Sequence, residues 1–312
     1  MNPMLSTTQV LVRYGYLPLM LVGVNGAAVW LMSHSAAKAW LLLLLVLAVG
    51  LSFLAERILP YQSAWNESLG DAGRDVTHSA VNELLILTSV AAIPMLAATV
   101  PSVDLWPHEW PFVGQFLFAV IVADAGITMV HLASHKIGFL WRFHAVHHSV
   151  KRFYGLNGLM KHPLHQTVEM AAGVAPLILL GLPVSVASAL AFAVAVQLLL
   201  QHSNADYRVG PLRSMLALND GHRFHHLKWA GIGDVNFGLF TLIWDHALGT
   251  YSYDATRRFD SDQIGMAAKP DYPVRYIPQL IEPFRVTGAC TSTSDVRDAA
   301  SDATARPADS PR

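Results

Sequence analysis

Charge is scarce in this chain. Asp, Glu, Lys and Arg make up 14% of its 312 residues, against roughly 25% in ordinary soluble domains. The formal net charge is -1, so no global field points to a nucleic-acid partner. Cysteine is nearly absent. The single Cys290 excludes an intrachain disulfide framework and a four-cysteine iron–sulfur cluster. No Glu is followed three residues later by His, which excludes the Glu-x-x-His pairs of soluble di-iron bundles. No internal repeat recurs at solenoid periods.

What fills the space is apolar: 53% of the residues are hydrophobic. Runs over about 14–32, 37–55, 84–100 and 112–133 approach the roughly 20 residues that cross a bilayer. A fifth run over about 168–200 is too long for one straight span. Gly181-Leu182-Pro183 interrupts it, and Gly and Pro break a helix there into a tight hairpin. The expected fold is therefore all-α and integral to a membrane, with about four long spans plus a shorter hairpin. Arg13 followed by an apolar run resembles a signal peptide. The run is nearer a full span than a signal core, so an uncleaved first helix is expected. Beyond about 288 the chain is rich in Ser, Thr, Ala, Asp and Pro, and a disordered tail is expected.

Lys and Arg in short loops set orientation. They populate 56–80, 134–166 and 201–228 and are missing from 101–111. Helical hairpins entering from the cytoplasmic side satisfy this, as in a bacterial inner membrane or endoplasmic reticulum.

Eight histidines then stand out in three clusters: His131-x3-His135, His144-x2-His147-His148 and His222-x2-His225-His226. Spacings of three and four put the rings on one helical face. Imidazole is the commonest metal ligand and suits iron, zinc and copper alike. Eight rings are too many for one ion and suit two. Three rings on one turn beside a membrane would cost desolvation without a metal to pair with. The first pair is half of a zinc-protease motif, but Leu132 stands where that motif needs its glutamate. His202, in Gln201-His202-Ser203-Asn204, emerges where the hairpin returns to this face and is expected as a ninth ligand. His162 and His165 are read as supporting or structural, and His246 as an outer neighbour of the site. His34, His78 and His108 carry no pattern and are read as surface residues. Asp124 lies inside the fourth span, seven residues before His131, and shares a face with His131 and His135. An ionisable residue within a span is a functional candidate. Its expected role is to accept a hydrogen bond from the free ring nitrogen of a ligating histidine.

Together these boxes resemble the fatty acid hydroxylase/sterol desaturase superfamily of membrane di-iron oxygenases. The resemblance runs from about Asp124 to Tyr251. It includes His162-Pro163-Leu164, Gln201-His202-Ser203-Asn204, Asn236-Phe237-Gly238, Trp244-Asp245 and Gly249-Thr250. It departs at Leu132, where members often carry Arg, and at His165, where many carry Glu. The resemblance implies a cytoplasm-facing site with two iron ions held by the eight box histidines. It also implies O2 as co-substrate and attack on a C–H bond of a membrane lipid. Sterol, fatty acyl, ether lipid and carotenoid stay open as substrates, as does hydroxylation against desaturation. The flanks hold no haem domain or cysteine cluster, so the electron donor is expected to be a separate protein. The expected division is 1–111 for N-terminal transmembrane helices, 112–252 for the catalytic region, 253–287 for a cytoplasmic extension and 288–312 for the tail. Two rivals are a metal or proton transporter with a histidine-lined path and an inactive scaffold of the same family. A transporter would string its ligands through the spans, whereas these gather at one face.

Overall fold

The structure is a computed structural model, and it describes residues 5–99, 103 and 105–285. The expected tail from 288 lies outside the described residues. Among those residues the chain is helical, with isolated bridges and no named strand.

Helix α1 runs Thr7–Ser33. Ser6 starts it with a capping box: its hydroxyl accepts from the Gln9 amide, and the Gln9 side chain accepts from the Ser6 amide. Pro18 lacks the N–H that would bond back along the helix, and a π-helical stretch, Leu19–Val24, follows it. Helix α2 is Ala39–Ile58, α3 is Ala72–Thr99 and α4 is Phe112–Lys136. After a corner at Ile137 comes the short α5, Gly138–His148. The fifth apolar run forms two helices, α6 at Pro163–Leu180 and α7 at Val184–His202. Gly181 closes α6 in the left-handed region at φ 97°, a conformation that favours glycine. Pro183 then caps α7. Three short helices follow: α8 at Asn219–His225, α9 at Ile243–Leu248 and α10 at Tyr276–Ile281.

Five of these helices are long and apolar enough to cross a membrane: α1, α2, α3, α4 and α7. They expose large apolar side chains such as Val22, Leu43, Val46 and Met95, as lipid-facing surfaces do. The protein is a multi-pass membrane protein. Helix α7 is its axis. Its span is 78% buried inside the protein, against 22–44% for the other four, so it sits at the centre of the bundle. Its residues Val196, Leu199 and Leu200 share one core with Met20 and Val24 of α1 and Ala123 of α4.

The third helix begins well before its apolar run. Its first turns carry Asp75, His78 and Asn82, all buried. They bind the segment that joins α5 to α6: Tyr154 donates to Asp75, and Asn82 donates to the Leu159 and Lys161 carbonyls. This corrects the expectation for His78. It is a buried tie, with Nδ1 3.0 Å from the Lys161 carbonyl and Nε2 3.0 Å from Gln279 Oε1 of α10. Helix α10 thereby closes over the same end of the bundle.

Candidate metal centre

The histidines arrive from four elements at one end of the bundle. The last turns of α4 carry His131 and His135, α5 carries His144, His147 and His148, the last residue of α7 is His202, and α8 with its C-cap supplies His222, His225 and His226. Their ring nitrogens converge in two groups. One group is His131, His135, His144, His148 and His225; the other is His147, His202, His222 and His226. Each His-x-x-His-His box is divided between them. On α5 the i, i+4 pair 144/148 serves the first group while His147 turns to the second. On α8 the pair 222/226 serves the second group while His225 crosses to the first. Residues four apart share a helical face and the one between points elsewhere, so each helix contributes to both groups.

In both groups it is the Nε2 atoms that face inward. His131 and His225 approach to 2.9 Å, His148 lies 3.0 Å from His225 and 3.1 Å from His144, and His135 lies 3.2 Å from His148. In the second group His202 lies 3.1 Å from His222 and 3.2 Å from His147, and His226 lies 3.2 Å from His147.

The outward nitrogens decide what these contacts mean. His131 Nδ1 donates to the Phe237 carbonyl at 2.8 Å, His147 Nδ1 to Met160 at 3.0 Å and His225 Nδ1 to Val235 at 2.8 Å. His202 Nδ1 donates to Asn157 Oδ1 at 2.8 Å, an amide oriented by its own nitrogen donating to the Arg152 carbonyl. A carbonyl oxygen only accepts, so the proton sits on Nδ1 and Nε2 carries a lone pair. The 131–225 and 147–202 contacts therefore set lone pair against lone pair, which repels unless a cation lies between. Two nitrogens at about 2.1 Å from one ion, at a right angle, stand about 3.0 Å apart. The donor set thus fits two metal ions, with outer carbonyls and one amide orienting His131, His147, His202 and His225, as outer partners do in metal sites. Burial supports the neutral ligand form outside the spans. It pulls the His147 ring down to about 3, with Lys161 adding to the effect. It holds His225 well below the usual imidazole range.

His202 lies among the convergent rings, with His147, His222 and His226. Asp124 departs from its expected role. Its carboxylate touches no histidine. It accepts from the amides of Leu239, Phe240 and Thr241 and from the Thr241 hydroxyl. The loop carrying those amides also carries the Phe237 carbonyl, so Asp124 reaches His131 only by holding that loop. Asp245 grips the loop's other end through the Phe237 and Gly238 amides and the Thr250 hydroxyl. A side chain at Gly238 would meet the Thr241 carbonyl at 2.0 Å, so the loop closes only around glycine. His246 is not an outer neighbour of the rings. It bonds the Ser214 carbonyl and lies against Tyr251. His162 is structural: it caps α6 by accepting from the Leu164 amide.

Sequence reasoning missed two carboxylates. Asp234 accepts from His135 Nδ1 at 2.9 Å. Although burial opposes it, that bond and the nearby Lys136 hold the Asp234 carboxyl below its usual range. Glu169 lies one turn after His165 on α6 and forms a third potential ligand group with His144 and His165. It pairs with Lys161 at 2.5 Å. Position 165, where many family members carry Glu, and Glu169 lie four residues apart on one helical face.

Lys161 and Glu169 also form the polar end of a cavity of about 280 Å³ between α3, α4, α6 and α7. Its walls are mostly apolar, with Ile86, Ile93, Ile127, Ala191 and Val194 among them and Ser89, Gln166 and Thr167 the remaining polar residues. Through Glu169 it reaches one member of the third ligand group.

Residues 116–250 match the fatty acid hydroxylase family model. The chain is 33% identical over 258 residues to the ornithine lipid hydroxylase OlsE of Rhizobium tropici, covering 80% of this chain and 77% of that protein. It belongs to the fatty acid hydroxylase/sterol desaturase superfamily. It is also 30% identical over 157 residues to the alkylglycerol monooxygenase of Danio rerio, covering 49% of this chain and 33% of that one. The Caenorhabditis elegans alkylglycerol monooxygenase is 24% identical over 161 residues, 52% of this chain and 30% of that one. No solved structure matches the chain. The superfamily match spans the elements that supply all nine rings, and both the Asp124 and Asp245 grips fall inside it.

Proposed function

We propose that this protein is an O2-dependent di-iron hydroxylase of a membrane lipid, with its site on the cytoplasmic side. The observation that carries the reading is the convergence of nine Nε2 atoms in two groups, with lone pairs opposed at 2.9 and 3.2 Å. When bound, two irons would supply oxygen activation for attack on an unactivated C–H bond. The reaction consumes the C–H substrate, O2, two electrons and two protons, and yields the alcohol and water. The electrons come from a separate donor protein. His131, His135, His144, His148 and His225 would hold one ion, and His147, His202, His222 and His226 the other.

The other residues bind and orient. The apolar cavity admits a hydrocarbon segment from the bilayer and keeps water from it. At its inner end the Lys161–Glu169 pair meets the more polar part of the lipid. Glu169 and His165 flank His144 there, so the reacting carbon is presented beside the first group. The relatives named as hydroxylase and monooxygenase support oxygen insertion over desaturation. The relative aligned along most of this chain is named for an ornithine lipid, which makes an amino-acid-headed acyl lipid the first substrate to test.

The test is comparative lipid mass spectrometry. A host making such lipids expresses the chain or its His147→Ala variant. The expected result is a lipid that gains one oxygen with the native chain only, dependent on iron and air. Unchanged lipid profiles, with two irons bound and a competent donor present, would overturn the reading.

A further inference from the structure

A second cleft, of about 300 Å³, lies beside α8 and contains none of the nine ring ligands. It is bounded by the start of α1, the 205–213 segment, α8 and the 253–259 segment. Six arginines line it, Arg13, Arg208, Arg213, Arg223, Arg257 and Arg258, against three aspartates. Most arginines in such a cluster would be expected to sit in solvent or in ion pairs, and some do. Arg13 is 3.4 Å from Asp206, and Arg213 is 3.5 Å from Asp220.

Arg223 is different. It is 4% exposed. Its guanidinium stacks over Tyr61 at 3.8 Å and donates once, to the Ser203 carbonyl at 3.2 Å. Among the described residues no carboxylate oxygen lies within 4.0 Å of it, and its Nε is buried with no hydrogen-bond partner. Asp220 and Asp206 attract it only from beyond contact distance, and a buried guanidinium with no carboxylate against it is costly. Arg257 Nε in the same cleft is also buried and unpartnered, and so is one acceptor, Asp220 Oδ1. The cleft is therefore lined by guanidiniums whose forks are incompletely paired, beside a carboxylate with one unbonded oxygen. Arginine forks match phosphate oxygens, and a lone carboxylate oxygen matches a hydroxyl.

We propose that this cleft binds a phosphate ester with a neighbouring hydroxyl: the phosphate on Arg223 and Arg257, the hydroxyl on Asp220. The ester is either a lipid headgroup or a soluble metabolite, and the concave shape favours it over an acidic protein surface. None of the nine convergent rings lines the site.

The test uses metal-loaded full-length protein. In detergent, isothermal titration compares glycerol 3-phosphate, inorganic phosphate and neutral glycerol. In nanodiscs, thermal stability is compared between phosphatidylglycerol and phosphatidylcholine. Saturable binding of glycerol 3-phosphate assigns a soluble source. Stabilisation confined to phosphatidylglycerol assigns a lipid source, and either supports the proposal. Arg223→Gln and Arg257→Gln should each weaken the response about tenfold, the scale of a lost charge-assisted bond. Asp220→Asn should narrow the preference for glycerol 3-phosphate over inorganic phosphate. Arg285→Gln, outside the cleft, should match the native chain. Arg257→Gln keeps the test decisive should Arg223→Gln fail to fold, because Arg223 adjoins a ring ligand. No response to either phosphate source overturns the proposal, as does a response that Arg257→Gln leaves unchanged. Binding of poly-glutamate without binding of glycerol 3-phosphate also overturns it, in favour of a protein-docking face.

Discussion

His135 Nδ1 donates to Asp234 Oδ1 at 2.9 Å, across 99 residues of sequence. It is the one convergent ring whose outer nitrogen meets a carboxylate among the described residues. Such a bond fixes the ring's tautomer and raises its basicity. Asp234→Asn keeps the shape and removes the charge. It should lower metal affinity or turnover by roughly 10–100-fold while leaving the helical signal intact. Metal titration followed by far-UV dichroism checks both. Native affinity in this variant would show that the carboxylate does not tune the ring.

The division of the boxes predicts unequal losses of metal. His147 belongs to the four-nitrogen group, while its neighbours His144 and His148 belong to the other. His147→Ala should abolish turnover and reduce tightly held iron from two ions per chain to one. His34→Ala should retain both, since His34 lies at the surface against Trp30. Elemental analysis per chain distinguishes the cases. A native chain that never holds more than one ion after reconstitution would refute the dinuclear arrangement.

Acid should release stability in a defined direction. Burial holds the His147 ring at about 3 in the folded chain, against roughly 6.5 when unfolded. The unfolded chain therefore binds the proton more readily. The stability contributed by the neutral ring is complete above about 6.5 and falls as pH drops toward 3. Metal-stripped protein in detergent should melt at a lower temperature at pH 5 than at pH 7.5. A flat profile over that interval would contradict the buried neutral ring.

The apolar cavity gives a test confined to substrate. Ala191 lines it on α7. Ala191→Phe should fill part of the space and lower turnover of long-chain lipids at least tenfold, with iron content unchanged. Overpacking of this kind costs roughly 1–3 kcal/mol, so the fold should survive. Equal turnover on long and short chains would place the substrate elsewhere.

Orientation is testable by fusion. A reporter after Glu109, in the segment before α4, should lie opposite one after Tyr251, which follows α9 near the metal centre. Both on one side would refute the hairpin arrangement.

Much of this was readable beforehand because two kinds of signal are local. The break at Gly181 and Pro183 lies in adjacent residues, and ring spacing within one helical turn needs no tertiary information. His202 was legible for the same reason, as the last residue of an apolar run returning to the histidine face. The rest depended on partners distant in sequence. Glu56 sits inside a span and looks like an isolated charge, yet it accepts from the Gly155 and Asn204 amides and ties α2 to the turn that positions His202. Asp124 shares a helical face with His131, which suggested contact with a ring. The unpaired amides at 239–241 claimed it instead, since buried N–H groups must be satisfied. His78 looked like surface because its partners, the Lys161 carbonyl and Gln279, lie on segments no local pattern places beside it.

The opposed nitrogens in each group have a consequence for biogenesis. A chain emerging into the bilayer can assemble its apolar helices from packing alone. The end built from α5, α8 and the loop at 237–241 packs less stably while its like-facing rings stay unbridged. Where ligands meet only in the folded state, binding energy for the ion is folding energy. Iron supply then acts as a late quality checkpoint. Starved cells should accumulate a membrane-inserted chain whose bundle resists protease while its histidine-bearing end is clipped faster than in iron-replete cells.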